Sequence, residues 1–184
     1  MSQPKKRVAV VFGGRSSEHA ISCVTAGSVL QAIDRSAYDV VPIGIATDGR
    51  WVLESGDLER LQITGPDALP SVDGDRAAVT LARDAHTTDL VVHEPSQPPR
   101  TLGEVDVVFP VLHGPWGEDG TIQGMLEMAG VRYVGAGVLA SAVSMDKAYM
   151  KVVLAAAGLP VLPSISVHAR EWRSDPDRVR ARAR

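Results

Sequence analysis

A histidine, two carboxylates and four glycines fall within the twelve residues His113-Gly-Pro-Trp-Gly-Glu-Asp-Gly-Thr-Ile-Gln-Gly124. An imidazole titrates near neutral pH and can hold, give or take a proton. Glycines allow tight turns and let the backbone approach a ligand closely. A second cluster, Gly13-Gly-Arg-Ser-Ser-Glu-His-Ala-Ile-Ser22, is a strand–glycine–helix junction. Exposed amides at such a helix start attract anions. Glu18 there either complements the helix dipole or accepts a substrate ammonium. A third, Ser144-Met-Asp-Lys147, puts a lysine at a helix start, with Ser144 as its candidate cap. Lys147 is then either a phosphate-binding cation or a plain surface lysine. His113 is open between a core histidine and a functional one. Glu118 either orients its turn or binds something, and Asp119 suits a helix cap better than catalysis.

These groups need elements to hold them. Val8–Phe12 is a short β-branched run closed by Gly13-Gly14 and reads as a buried strand. The helix that follows runs from about Glu18 to Ile33, capped by Ser16 or Ser17. Its apolar stripe is Cys23, Ala26, Val29, Leu30 and Ile33. Val40–Ile45 is a second strand and Trp51–Leu53 a short third. From Ser55 to Glu104 prolines at 66, 70, 95, 98 and 99 interrupt the pattern. That region reads as an irregular connection with short strands at Ala78–Leu81 and Asp89–His93. Val105–Leu112 is the strongest strand, and it delivers His113 to its carboxyl end. Ile122, Met125, Leu126 and Ala129 mark the next helix, closed by Gly130. Arg132–Val134 reads as a brief strand. Tyr149, Val152, Val153 and Ala156 form another helical stripe, and Ile165–Val167 a strand-like run. Arg170–Arg184 reads as a solvated, arginine-rich helix. Alternating strands and helices, with strands lacking polar alternation, predict an open parallel sheet covered by helices on both faces. Ligands of such sheets bind at the carboxyl ends of the strands.

A net charge of −3 gives no reason to expect nucleic acid or an anionic membrane as partner. Cys23 is the sole cysteine, so no disulfide forms within the chain and a cytoplasmic setting is expected. It lies on the buried stripe and reads as a core thiol. Gly135-Ala-Gly-Val-Leu-Ala140 fits the dinucleotide fingerprint in form, but no carboxylate follows at the ribose-binding distance. His19 adjoins Glu18, yet neighbours on a helix point apart. His86, His93 and His168 form no metal-binding spacing.

Taken in order, the segments at 13–22, 113–124 and 144–147 closely resemble the amino-terminal part of the D-alanine–D-alanine ligases. The middle segment matches that family's first signature at all of its defined positions, and the similarity covers about residues 7 to 165. The resemblance implies a Rossmann-like pre-ATP-grasp domain over 1–160 and the first residues of an ATP-grasp domain over 161–184. It implies an ATP- and magnesium-dependent cytoplasmic ligase of peptidoglycan synthesis, working through an acyl phosphate of D-alanine. By motif, Glu18 would hold the ammonium of the first D-alanine and Ile21 would touch its methyl group. His113 would lie beside the reacting carboxylate, and Lys147 would reach the ATP phosphates. Metal ligands and most of the ATP site would lie beyond Arg184, so the 184-residue chain is expected to be inactive alone. Partners so implied are two D-alanines and ATP, with a homodimer through this domain. A D-alanine–D-lactate ligase and a non-catalytic amino-acid-binding module are the alternatives.

Overall fold

Successive side chains of a strand point to opposite faces, and the first strand uses both. In β1 (Lys6–Gly13), Val8, Val10 and Phe12 face one buried cluster, while Ala9 and Val11 face another. The first cluster includes Cys23, Ala26 and Leu30 of α1 (His19–Ala32). The second includes Ile122 and Leu126 of α2 (Thr121–Met128). A helix therefore covers each face, which is why β1 is apolar at every position from Val8 to Phe12. The computed structural model describes residues 4–65, 67–81 and 87–183. Pro66 and His86, both noted in the sequence, lie outside them. The chain divides into two compact units, Met1–Ala142 and Val143–Arg184.

In the first unit β1 runs parallel to β2 (Tyr38–Ile45), with Val8 beside Val40, and to β7 (Val107–Pro110), with Val8 beside Val107. Beyond β2 the sheet turns antiparallel through β3 (Trp51–Leu53), β4 (Ala78–Leu81), β5 (Asp89–His93) and β6 (Arg100–Glu104). The order is β6-β5-β4-β3-β2-β1-β7. The expected α/β architecture is present, with parallel pairing confined to β2-β1-β7. Antiparallel neighbours need only short connections, whereas parallel ones need a crossover such as α1.

Several expected elements differ in extent. Val105–Leu112 shortens to Val107–Pro110, the four residues that pair with Val8–Val11 of β1. The Val111 amide still reaches the Val11 carbonyl at 2.7 Å. Residues 132–134 make one parallel bridge, Val108 to Tyr133, rather than a strand. β6 was not anticipated. In the second unit residues 165–167 form no strand, and the arginine-rich end is two helices, α5 (Ala169–Ser174) and α6 (Pro176–Arg182). Pro176 lacks an amide for the preceding turn and starts the new helix instead, with Asp175 accepting from the Arg178 amide at 3.0 Å. The division between units falls within α3 (Val138–Met145). After it, α4 (Lys147–Ala156) is capped by Asp146, which accepts from the amides of Ala148 and Tyr149 at 2.9 and 3.1 Å. Ser144, the expected cap, lies two residues too early. Among the described residues no helix is long and apolar enough to cross a membrane.

Candidate functional site

The carboxyl ends of β1 and β7 are locked together before any functional group is placed. Gly13 has φ +87°, and a Cβ there would stand 2.4 Å from the Ile45 carbonyl oxygen, so only glycine fits. The buried Ser22 hydroxyl, on α1, accepts from the Gly13 amide at 2.8 Å and donates to the Val111 carbonyl at 2.6 Å. His19 is buried beside it. The Val72 amide donates to its Nε2 at 3.1 Å, so that nitrogen carries a lone pair. Its proton then sits on Nδ1, 2.6 Å from the Gly14 carbonyl oxygen. His19 is thus a neutral structural clamp with both ring nitrogens committed.

On that frame, one face of α1 meets the loop after β7. Glu18 is the N-cap residue of α1 and is exposed, with no side-chain cap bond of its own. Its carboxylate lies against Gly114, where a Cβ would come 2.8 Å from Oε1. The Ser16 hydroxyl donates to the His113 carbonyl at 2.7 Å and accepts from the Glu18 amide at 3.1 Å. It therefore sets both flanking residues at once. Thr25, seven residues after Glu18 on the same helical face, donates to the Ile21 carbonyl at 2.9 Å. With its one proton spent there, its hydroxyl accepts from His113 Nε2 at 3.1 Å. Ile21 is 49% exposed on the turn between them. The structure thus brings Glu18, Ile21 and His113 to one sheet edge.

The glycine-rich turn is held from within. Glu118 accepts from the Gly114 amide at 2.6 Å, so it orients the turn. Asp119 accepts from the amides of Trp116 and Thr121 at 2.9 and 3.0 Å. Expected as the helix cap, it instead lies one residue before the N-cap of α2, Gly120, where it ties the first helical amide to Trp116, which has φ +67°. Partial burial disfavours the Asp119 carboxylate. The hydrogen bonds from Trp116 and Thr121 outweigh that and leave its pKa below the usual 3.8. The Gln123 amide donates to the Gly117 carbonyl at 2.9 Å and ties the turn to α2.

Lys147 lies in the second unit as the first residue of α4, exposed, with Nζ 3.4 Å from the Ser144 carbonyl oxygen. The Cys23 thiol is buried in the core, and desolvation, with the Glu54 charge adding to it, pushes its pKa up to about 12. That excludes it as a ready nucleophile. The fingerprint at 135–140 follows a single bridge rather than a strand, and a Cβ on Gly135 would meet nothing within 4 Å. Among the described residues no group of three His, Cys, Asp or Glu could hold a metal ion. Ser16 was read only as a candidate cap of the helix, and Ser22 and Thr25 were not singled out from the sequence. The helical spacing 18, 21/22, 25 was the signal that could have found the last two.

Residues 7–136 match the family described as D-ala D-ala ligase N-terminus. The chain is 60% identical over 178 residues to a D-alanine–D-alanine ligase of Arthrobacter sp., covering 97% of this chain and 46% of the relative. It is 58% identical over 178 residues to the D-alanine–D-alanine ligase of Pseudarthrobacter chlorophenolicus, with the same two coverages. Among solved structures, the VanG D-Ala:D-Ser ligase of Enterococcus faecalis superposes with a TM-score of 0.75 at 31% identity, covering 97% of this chain and 49% of that one. The D-alanyl-alanine synthetase A of Vibrio cholerae gives 0.73 at 27% identity, covering 99% and 46%. The chain spans about half the length of the curated relatives it matches.

Proposed function

The chain belongs to the D-alanine–D-alanine ligase amino-terminal family, and we propose that it forms the D-alanine-binding part of an ATP-dependent ligase joining two D-alanines. One observation carries this reading: an exposed carboxylate, a small apolar side chain and an oriented imidazole share one sheet edge, at Glu18, Ile21 and His113. Glu18 accepts the ammonium of the first D-alanine as a charge-assisted pair. Ile21 meets its methyl group. His113, oriented by Thr25 and Ser16, lies beside its carboxylate and balances the charge that develops there. An oxygen of that carboxylate attacks the γ-phosphorus of ATP, and ADP leaves. The amine of the second D-alanine then attacks the acyl carbon and loses a proton, and the acyl C–O bond breaks so that phosphate departs carrying the former carboxylate oxygen. Positioning and charge balance are most of what such transfers ask of a protein.

Lys147 contributes a single cation toward the ATP phosphates, and one ammonium does not make a nucleotide site. The described residues offer no cluster that fits magnesium, so no step is routed through it on this chain. We assign residues 1–160 to the amino-terminal domain and 161–184 to the opening of the ATP-grasp part, in a cytoplasmic enzyme of peptidoglycan synthesis. A homodimer belongs to the same proposal.

Calorimetry with D-alanine tests the assignment. The chain binds D-alanine in preference to L-alanine, and Glu18→Gln weakens binding by roughly tenfold or more. Equal binding by the variant and the parent chain would sink the role of Glu18. Substantial ATP-dependent dipeptide synthesis by the 184 residues alone would overturn the division of labour proposed for them.

A further inference from the structure

The α1 side of this sheet edge is polar, and the α2 side is not. There, an apolar cavity of about 160 Å³ is walled by Ile45, Trp51, Leu112, Ile122 and Met125. Glu18, Ile21 and Thr25 do not line it. His113 reaches both sides, lining the cavity while its ring is tied to Thr25. Across the mouth lies Arg15. Its stem packs over Gly49, where a Cβ would stand 3.2 Å from Cδ. Its guanidinium carbon lies 5.1 Å from the centroid of the Trp116 ring. Among the described residues that ring is its one close partner, and no carboxylate neutralises it. Five N–H donors in a planar fork thus stand at the rim of an apolar hollow.

That pairing selects a ligand class. An apolar cavity of roughly 150 Å³ suffices for a benzene-sized body. A neutral ligand would leave the guanidinium unused, whereas inorganic phosphate would leave the walls unused. A free amino acid would strand its ammonium against apolar walls at a desolvation cost. We propose that this cavity binds a small monocarboxylate with a benzene-sized apolar body, its carboxylate paired with Arg15 and its body in the cavity. The site adjoins the proposed amino-acid site at His113 but includes neither Glu18 nor Ile21, and its argument does not rest on that assignment.

Benzoate and its neutral relative benzamide test the proposal, followed by NMR of the Trp51 and Trp116 indoles, both of which line the cavity. Benzoate binds roughly tenfold or more tightly than benzamide. Arg15→Met, which keeps the stem and removes the charge, abolishes that preference while leaving benzamide affinity unchanged. Met125→Trp, at an exposed position on α2, fills the cavity and removes binding of both. Saturating D-alanine does not displace benzoate. Equal affinity for the two ligands, an unchanged preference in Arg15→Met, displacement by D-alanine, or no benzoate binding at millimolar concentration overturns the proposal. Should Arg15→Met lose its folded spectrum, the two ligands on the parent chain still decide. Failure of D-alanine binding leaves that comparison intact.

Discussion

The two halves of the seven-stranded sheet do different work. The parallel half, β2-β1-β7, ends at its carboxyl edge in two positive-φ glycines, a buried serine clamp and every group of the proposed amino-acid site. The antiparallel half, β3 to β6, buries Val52, Val79, Leu90 and Val92 and supplies no group to that site. Parallel strands deliver several chain ends to one edge, each followed by a loop and a helix start, so functional groups converge there. Antiparallel hairpins send alternate ends to opposite edges and add core area instead.

This contrast makes the expected effects of substitution differ in kind. Gly13→Ala, in the parallel half, has the largest. Its Cβ meets a backbone oxygen, and its φ of +87° strains any side chain, so urea unfolding should register a loss on the order of 4 kcal/mol. D-alanine binding should be lost with it. Normal binding in a folded Gly13→Ala would show that the clamp and the site are separable. Leu90→Ala, in the antiparallel half, should cost about 3 kcal/mol through the cavity it leaves. Under folding conditions its D-alanine affinity should match the parent; a several-fold change would mean that the two halves are coupled.

The smallest effect concerns pH. The Asp119 pKa is lowered on folding, so ionised Asp119 stabilises the native turn above its unfolded value near 3.8. That contribution is lost as pH falls through the lower folded value. Asp119→Asn should therefore flatten the acid limb of the stability curve below about pH 4 and leave the neutral region nearly parallel to the parent. An acid limb identical to the parent's would remove Asp119 from the turn's stabilisation.

Legibility followed the same division, with exceptions. β3, β4 and β5 were read at their observed bounds because short apolar runs flanked by polar residues mark them. Their pairing was not readable, since antiparallel register depends on partners distant in sequence. β6, Arg100-Thr-Leu-Gly-Glu104, carries one large apolar residue and gave no strand signal. It exists because β5 offers it an edge. The stripes of α1 and α4 have the same helical spacing, yet Cys23, Ala26 and Leu30 are buried whereas Tyr149, Val152 and Val153 are exposed. Periodicity says which face is apolar and not what covers it. At the site, Glu18, Ile21 and His113 were legible from motif, while the bonds of Ser16 and Thr25 to His113 were not, because they cross 97 and 88 residues.

From residues alone came the alternation of strand and helix, the glycine turns at 13–14 and 113–120, and the family resemblance. All of these are local patterns, governed by backbone sterics and by spacing along one element. Folding alone set the antiparallel extension, made His19 a neutral clamp rather than a second site histidine, and opened an apolar cavity behind the polar edge. Each of those depends on which distant groups come within a few ångströms of one another. A side chain's neighbours determine its protonation, its burial and the space beside it.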